Sequence, residues 1–182
     1  MKKLSILICT LNRRKKYFDR LMQWLTPQLT DEVEVLHLSD VGDLSIGAKR
    51  NALVKMATGL YSAFIDDDDI VSSNYVAKVL EAANKHPDCI GMEGIITTDG
   101  QNPKKFIHSL KYRHWFERRG VYYRNPNHLN PIKRDIVMLE PFPEINMGED
   151  AEFSKAVLKH LSTEIYIEGP IYYYEYRTQK EI

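Results

Sequence analysis

At 182 residues, with 43% hydrophobic and 27% charged residues, the chain has the length and composition of one soluble domain with a sizeable core. Lys and Arg number 25 and so do Asp and Glu, so no global field draws the protein to nucleic acid or an anionic membrane, and any such partner must be met by a local patch. No apolar stretch approaches the roughly 20 residues that span a bilayer. The short apolar run after MKK is followed by a basic cluster instead of a small-residue cleavage site, so it reads as a first strand and not as a signal peptide.

Residues 4–9, LSILIC, form a near-continuous apolar run of the kind found in strands covered on both faces. Thr10, Leu11, Asn12 and Arg13 form a polar turn at its carboxyl end. Phe18, Leu21, Met22 and Leu25 repeat at helical spacing over 15–25, and Pro27 closes that helix. VEVLHL at 33–38 is a second strand ending in Ser39 and Asp40. Residues 46–58 predict a helix with Gly59 as its C-terminal stop. A third strand, 61–65, follows; Ser72 and Ser73 are N-cap candidates for a helix carrying Val76, Val79, Leu80 and Ala83, and Pro87 ends it. CIGMEGII at 89–96 is a fourth strand. This alternation predicts a doubly wound α/β sheet.

The second half is less regular. Residues 104–124 interleave aromatic and basic residues in short alternating pieces, which predicts antiparallel strands or a mobile loop. Residues 125–131, NPNHLNP, are a turn-rich loop holding His128, and 140–148 form a second loop that delivers Glu149 and Asp150 to a helix running to about Leu161. IYIEG and IYYYEY close the chain as strands. The two cysteines, Cys9 and Cys89, lie in apolar runs with no metal-type spacing, which points to a reducing cytoplasm.

The stretch YSAFIDDDDI, 61–70, is the anomaly: four adjacent carboxylates repel one another and Asp is a poor strand residue. A hard divalent cation such as Mg2+ or Mn2+ removes that objection and would anchor a diphosphate; a solvated acidic turn is the alternative. Doubly wound sheets bind ligands beyond the carboxyl ends of their strands. Thr10 and Asn12, Asp40, and the aspartates all fall there. Arg50 lies on the apolar stripe of its helix, where phosphate, one of the aspartates or snorkelling to solvent would satisfy it.

TLNR after the first strand, SD after the second, GAKRNALVKMATG ahead of a strand ending in FIDDDD, and GED before a late helix together resemble family 2 glycosyltransferases of the GT-A fold, over nearly the whole chain. The resemblance implies a single GT-A-like α/β domain over 1–182, a Rossmann-like mixed sheet flanked by helices, with a nucleotide-sugar-binding half (1–100) and an acceptor-binding half (101–182). It implies an inverting, Mn2+- or Mg2+-dependent transfer from a nucleoside diphosphate sugar, UDP preferred, to a hydroxyl acceptor, either a saccharide or a modified nucleic-acid base. Carried over by position, Asp68 is the metal ligand and Asp66 faces the sugar or ribose and the metal, with Asp67 and Asp69 the alternative register. His128 falls where the family has a late metal or diphosphate ligand. Asp150 takes the part of general base, supported by Glu149, unless Glu149, Asp150 and Glu152 merely favour the helix N-terminus. Asp40 corresponds to the contact to the nucleotide base, and Thr10, Asn12 and Arg13 to the nucleoside and phosphate contacts. Lys49, Arg50 and Asn51 belong to the donor-side motif. Rings in the 112–123 run would stack on a sugar or base, or fill the core. A cation-holding module without catalysis is the rival from another class.

Overall fold

The computed structural model describes residues 1–178. The first half alternates strand and helix: β1 (Leu4–Leu11), α1 (Lys15–Leu25), β2 (Val33–Asp40), α2 (Ile46–Met56), β3 (Tyr61–Phe64), β4 (Ile70–Val71), α3 (Tyr75–Ala83) and β5 (Cys89–Thr98). The second half adds β6 (Gln101–His108), β7 (Phe116–Arg118), β8 (Val121–Arg124), β9 (Ile132–Lys133), α4 (Arg134–Val137), α5 (Glu149–Val157) and β10 (Glu164–Tyr176). The described strands join into one sheet in the order β2-β1-β3-β9-β5-β6-β8-β7, with β10 beside β5 and β4.

β1 sits between β2 and β3, parallel to both, which is why LSILIC is apolar on successive residues. Leu4, Ile6 and Ile8 face a core layer with Leu21 and Leu25 of α1 and Val76 and Val79 of α3. Leu7 faces the opposite layer, with Leu53 and Val54 of α2 and Phe153 and Val157 of α5. The sheet is therefore covered by helices on both sides, and its loops gather at the carboxyl ends of β1, β2 and β3.

The boundaries differ from the sequence expectation in instructive places. α2 ends at Met56 because the Glu34 carboxylate takes the Thr58 N–H at 2.6 Å and the Gly59 N–H at 3.2 Å. Gly59 is thus not a left-handed stop: a Cβ there would lie 2.7 Å from the Ser5 amide nitrogen, so its smallness permits close approach to β1. The residue before α3 is Asn74, not Ser72 or Ser73, and the Ser72 hydroxyl donates to its side chain at 2.8 Å. The run 104–124 forms strands: β6 pairs antiparallel with β5, but β8 lies parallel to β6. The helix expected to reach Leu161 stops at Val157 and tightens into a 3-10 turn. The two closing segments are one strand, β10, irregular near Pro170.

The loop 125–131 is not a surface turn. Asn125, Asn127 and Asn130 are almost fully buried, and their amides replace the missing backbone partners: Asn125 donates to the Ser154 carbonyl at 2.8 Å and Asn130 to the Ile90 carbonyl at 2.9 Å.

Asp88 ties β9 and the approach to β10 together, accepting from Lys133 Nζ and from the Ser162 and Thr163 N–H groups, each at 3.0 Å. Burial opposes its ionisation, but these donors prevail and hold its carboxyl below the usual range. Its stabilisation is then fully present above the unfolded value near pH ~4 and is lost as pH falls through the folded one. Asp88→Ala should lower the unfolding free energy at neutral pH by about 1–3 kcal/mol. In urea titrations the gap to wild type should narrow as the pH drops below that range.

Candidate active site

The third strand delivers Asp66 to Asp69 into a tight turn, closed by the Asp69 N–H on the Asp66 carbonyl at 3.1 Å. The four carboxylates then meet four different environments. Asp67 points inward: its oxygens accept from Thr10 Oγ1 at 2.6 Å and from the Arg14 fork at 2.7 to 3.1 Å. Asp69 is buried, accepting from the Tyr172 hydroxyl at 2.7 Å and the Glu175 N–H at 2.9 Å. Burial, with Asp66 and Asp68 beside it, pushes the Asp69 carboxyl well above the usual range. Asp66 and Asp68 keep an open face, their side chains 30% and 22% exposed. Burial and the neighbouring acids raise Asp68 despite the Arg14 guanidinium 2.9 Å away. At Asp66 burial works in the same direction, but Arg50 and His128 outweigh it and hold the carboxyl below the usual range.

Helix α2 is the opposite wall, and each residue of its GAKRN stretch has a distinct contact. A Cβ on Gly47 would lie 1.8 Å from the Pro143 carbonyl oxygen, so only glycine lets the loop 140–148 cross the start of α2. Buried Lys49 pairs with Asp40 and donates to the Thr10 carbonyl at 2.9 Å. The other Asp40 oxygen accepts the Leu44 N–H at 2.8 Å; burial opposes its ionisation, but Lys49 and this amide hold it below the usual range. Asn51 exchanges two hydrogen bonds with the Phe142 backbone, at 2.9 and 2.8 Å. Arg50, 3% exposed, lies 3.3 Å from Asp66 and 3.4 Å from Glu149, with its guanidinium over the rings of Phe64 and Phe142.

The latched loop places Glu149 and Asp150 in the first turn of α5, facing the acidic turn. Between them stands His128, held by its buried loop. Its Nε2 is 3.5 Å from Asp66 and its Nδ1 3.9 Å from Asp150, and both nitrogens are buried without a hydrogen bond. One imidazole therefore joins the acids of β3 to those of α5.

Among the described residues, no three or more His, Cys, Asp or Glu form a cage for a cation. The arrangement fits a different kind of site. Mg2+ and Mn2+ sites on nucleotides take one or two carboxylates and complete their shell with water and phosphate. Asp66 and Asp68, partly exposed beside their arginine partners, and His128, with both ring nitrogens lacking a hydrogen bond, have that character.

Of the positions anticipated on the nucleoside side, Thr10 is buried against Asp67, and Asn12 is exposed with its carbonyl oxygen accepting from Ser39 at 2.6 Å. Arg13 is exposed; its neighbour Arg14 reaches the acids instead. The far wall comes from residues that carried no sequence signal: Arg20 bonds the Asp68 carbonyl and Glu175, while Arg177 lies 3.7 Å from Asp68. Arg14, Arg20 and Arg177 all stand within 6.0 Å of the Tyr17 ring.

A family model described as glycosyl transferase family 2 matches residues 42–138, which include GAKRN, the acidic turn and His128. No match was found among curated protein sequences. Among solved structures, S. aureus TarS 1-349 in complex with UDP superposes with a TM-score of 0.74 at 16% identity, over 95% of this chain and 60% of that one. TarS 1-349 in complex with UDP-GlcNAc gives 0.69 at 15% identity, over 98% and 60%. A longer S. aureus TarS chain gives 0.72 at 15% identity over 95% of this chain but 36% of its own length. At these identities the likeness is one of fold, and the present chain spans 36 to 60% of the TarS chains it matches.

Removing the cation that both acid groups share should be severe. Arg50→Met should lower the unfolding free energy by about 3–5 kcal/mol, the usual loss when one partner of a buried ion pair is deleted, as read by urea denaturation at neutral pH.

Proposed function

The chain belongs to glycosyl transferase family 2, and from that premise we propose that it transfers a sugar, with inversion, from a nucleoside diphosphate sugar to a hydroxyl acceptor. The observation that carries this reading is the pairing across His128: partly exposed acids at the end of β3 face an acid in the first turn of α5.

In the proposed reaction the acceptor oxygen bonds to the anomeric carbon, the bond from that carbon to the diphosphate breaks, and the acceptor proton passes to Asp150. Glu149, held by Arg50, keeps the start of α5 in place beside the base. Asp68 and Asp66 are the residues that would hold Mn2+ or Mg2+, with His128 adjoining, and the ion's contribution there is to neutralise the departing diphosphate. Asp40, Thr10 and Asn12 line the ends of β1 and β2, where the nucleoside would lie; UDP as the nucleotide is supported by the bound UDP of the TarS structure with the same fold. Lys49 and Asn51 serve the donor side by fixing those ends and the 140–148 loop. Both cysteines are free, which supports a reducing, cytoplasmic setting. No described helix is long and apolar enough to cross a membrane.

The test is a panel of nucleotide sugars incubated with the protein and Mn2+, read for nucleoside diphosphate release, because slow hydrolysis reveals the donor without an acceptor. Release from one donor, abolished by chelation, is expected. Asp150→Asn should retain nucleotide binding by calorimetry and lose about 100-fold or more in turnover. Full activity in that variant would remove Asp150 from the role of base. Cation-dependent melting with no shift on adding UDP would favour a cation-holding module instead.

A further inference from the structure

Helix α1 buries Tyr17, Leu21 and Leu25, yet the indole of Trp24, one residue before Leu25, is 47% exposed. Tryptophan is highly buried on average, because so large a ring loses much apolar contact when left in water. No ring contact or hydrogen bond joins the Trp24 side chain to another described residue. It forms one wall of a cleft of about 390 Å³ between the end of α1 and the start of α3, lined also by Gln23, Pro27, Gln28, Ser73 and Ala77. Small-molecule sites occupy roughly 300–1,000 Å³.

Gln28 holds the cleft in shape. Its amide nitrogen donates to the Trp24 carbonyl at 2.8 Å and the Ser72 carbonyl at 3.0 Å, and its amide oxygen accepts the Val76 N–H at 3.2 Å, so one side chain ties α1 to α3. Gln23 and Ser73 are exposed, and their side chains hydrogen-bond to no described residue. The lining carries no charged side chain, which makes it unsuited to the phosphates of a nucleotide, a nucleic acid or a phosphorylated polymer. Trp24 is its single large exposed apolar side chain, too little for a protein interface, which takes about 800 Å² from each partner. The lining suits a neutral ligand with an apolar face and a rim of hydroxyls. A pyranose ring has that form: its C–H face lies on an indole while its hydroxyls bond to an amide and a hydroxyl at the edge.

We propose that the cleft at Trp24 is an accessory binding site for an uncharged saccharide, with a sugar ring stacked on Trp24 and its hydroxyls bonded to Gln23 and Ser73. Trp24 lies ten residues beyond Arg14, about 15 Å along α1. Arg14 is the residue that pairs with Asp67 and Asp68. The cleft is therefore apart from the acidic turn, holds a sugar without transforming it, and stands whether or not the chain transfers one.

Trp24 and Trp115 are the two tryptophans of the chain, so in a Trp115→Phe protein the fluorescence reports on Trp24 alone. That protein is titrated with short oligomers of glucose, mannose, galactose and N-acetylglucosamine, with oligogalacturonate as the anionic arm, and calorimetry repeats the titrations on the wild type. The expected result is saturable binding of at least one uncharged oligomer, insensitive to salt and equal in the two proteins. Trp24→Ala should weaken it about tenfold or more, Trp24→Phe less, and Gln23→Ala about threefold. Because both positions are exposed, these variants should unfold at close to the wild-type urea concentration. Added UDP with Mn2+ should leave the binding unchanged, whereas donor hydrolysis is a separate measurement that tests the glycosyltransferase reading alone. Failure of every uncharged oligomer to bind, tighter binding of oligogalacturonate, displacement by UDP, or a Trp24→Ala variant that binds like wild type would each overturn the proposal.

Discussion

A guanidinium almost without water, Arg50, is the constraint on which the rest of this structure depends. Two of its nitrogens have no hydrogen bond, its plane covers two phenylalanine rings, and its charge is met by Asp66 on one side and Glu149 on the other. Desolvating such a cation is costly unless acids are held close to it. The acids come from positions 83 residues apart, one at the end of β3 and one at the start of α5, so the cost of leaving Arg50 unpaired couples the two halves of the chain. Gly47 and Asn51, one turn of α2 or less away, let the intervening loop approach closely enough for that pairing.

The same logic divides the acidic run. Four adjacent carboxylates are tolerable because two are consumed inside the protein, Asp67 by Thr10 and Arg14 and Asp69 by Tyr172 and the Glu175 amide. The remaining pair, alternate along the turn, keep oxygens facing outward. The repulsion that made the run look anomalous is thereby shared among Arg14, Arg50, His128 and Arg177.

Much of this was legible beforehand. LSILIC, VEVLHL, YSAFI and CIGMEGII announced strands because sheets covered on both faces demand unbroken apolar runs, and the amphipathic spacing of α1 and α3 followed from one-sided packing. The convergence of Thr10, Asp40 and the aspartates followed from the topology of parallel strands. The rest was hidden for definite reasons. Asn125, Asn127 and Asn130 looked like turn residues, since nothing local reveals that an amide will stand in for a missing strand partner. Arg20 and Arg177 carry no periodic signal; they matter through contacts that only the fold creates. Gly47 and Asn51 belong to a recognisable motif, yet their contacts are to a loop about 90 residues away, where no pattern in the chain points.

The central claim is that Arg50 energetically joins the acids of β3 to those of α5. A double-mutant cycle between Arg50→Met and Glu149→Gln, measured by urea unfolding at neutral pH, tests it directly. The account predicts non-additivity of at least about 1 kcal/mol, because Arg50→Met alone strands the buried Glu149 carboxylate, a charge that the double change removes. Additivity within about 0.5 kcal/mol would show that the two ends of the site are held together by something else.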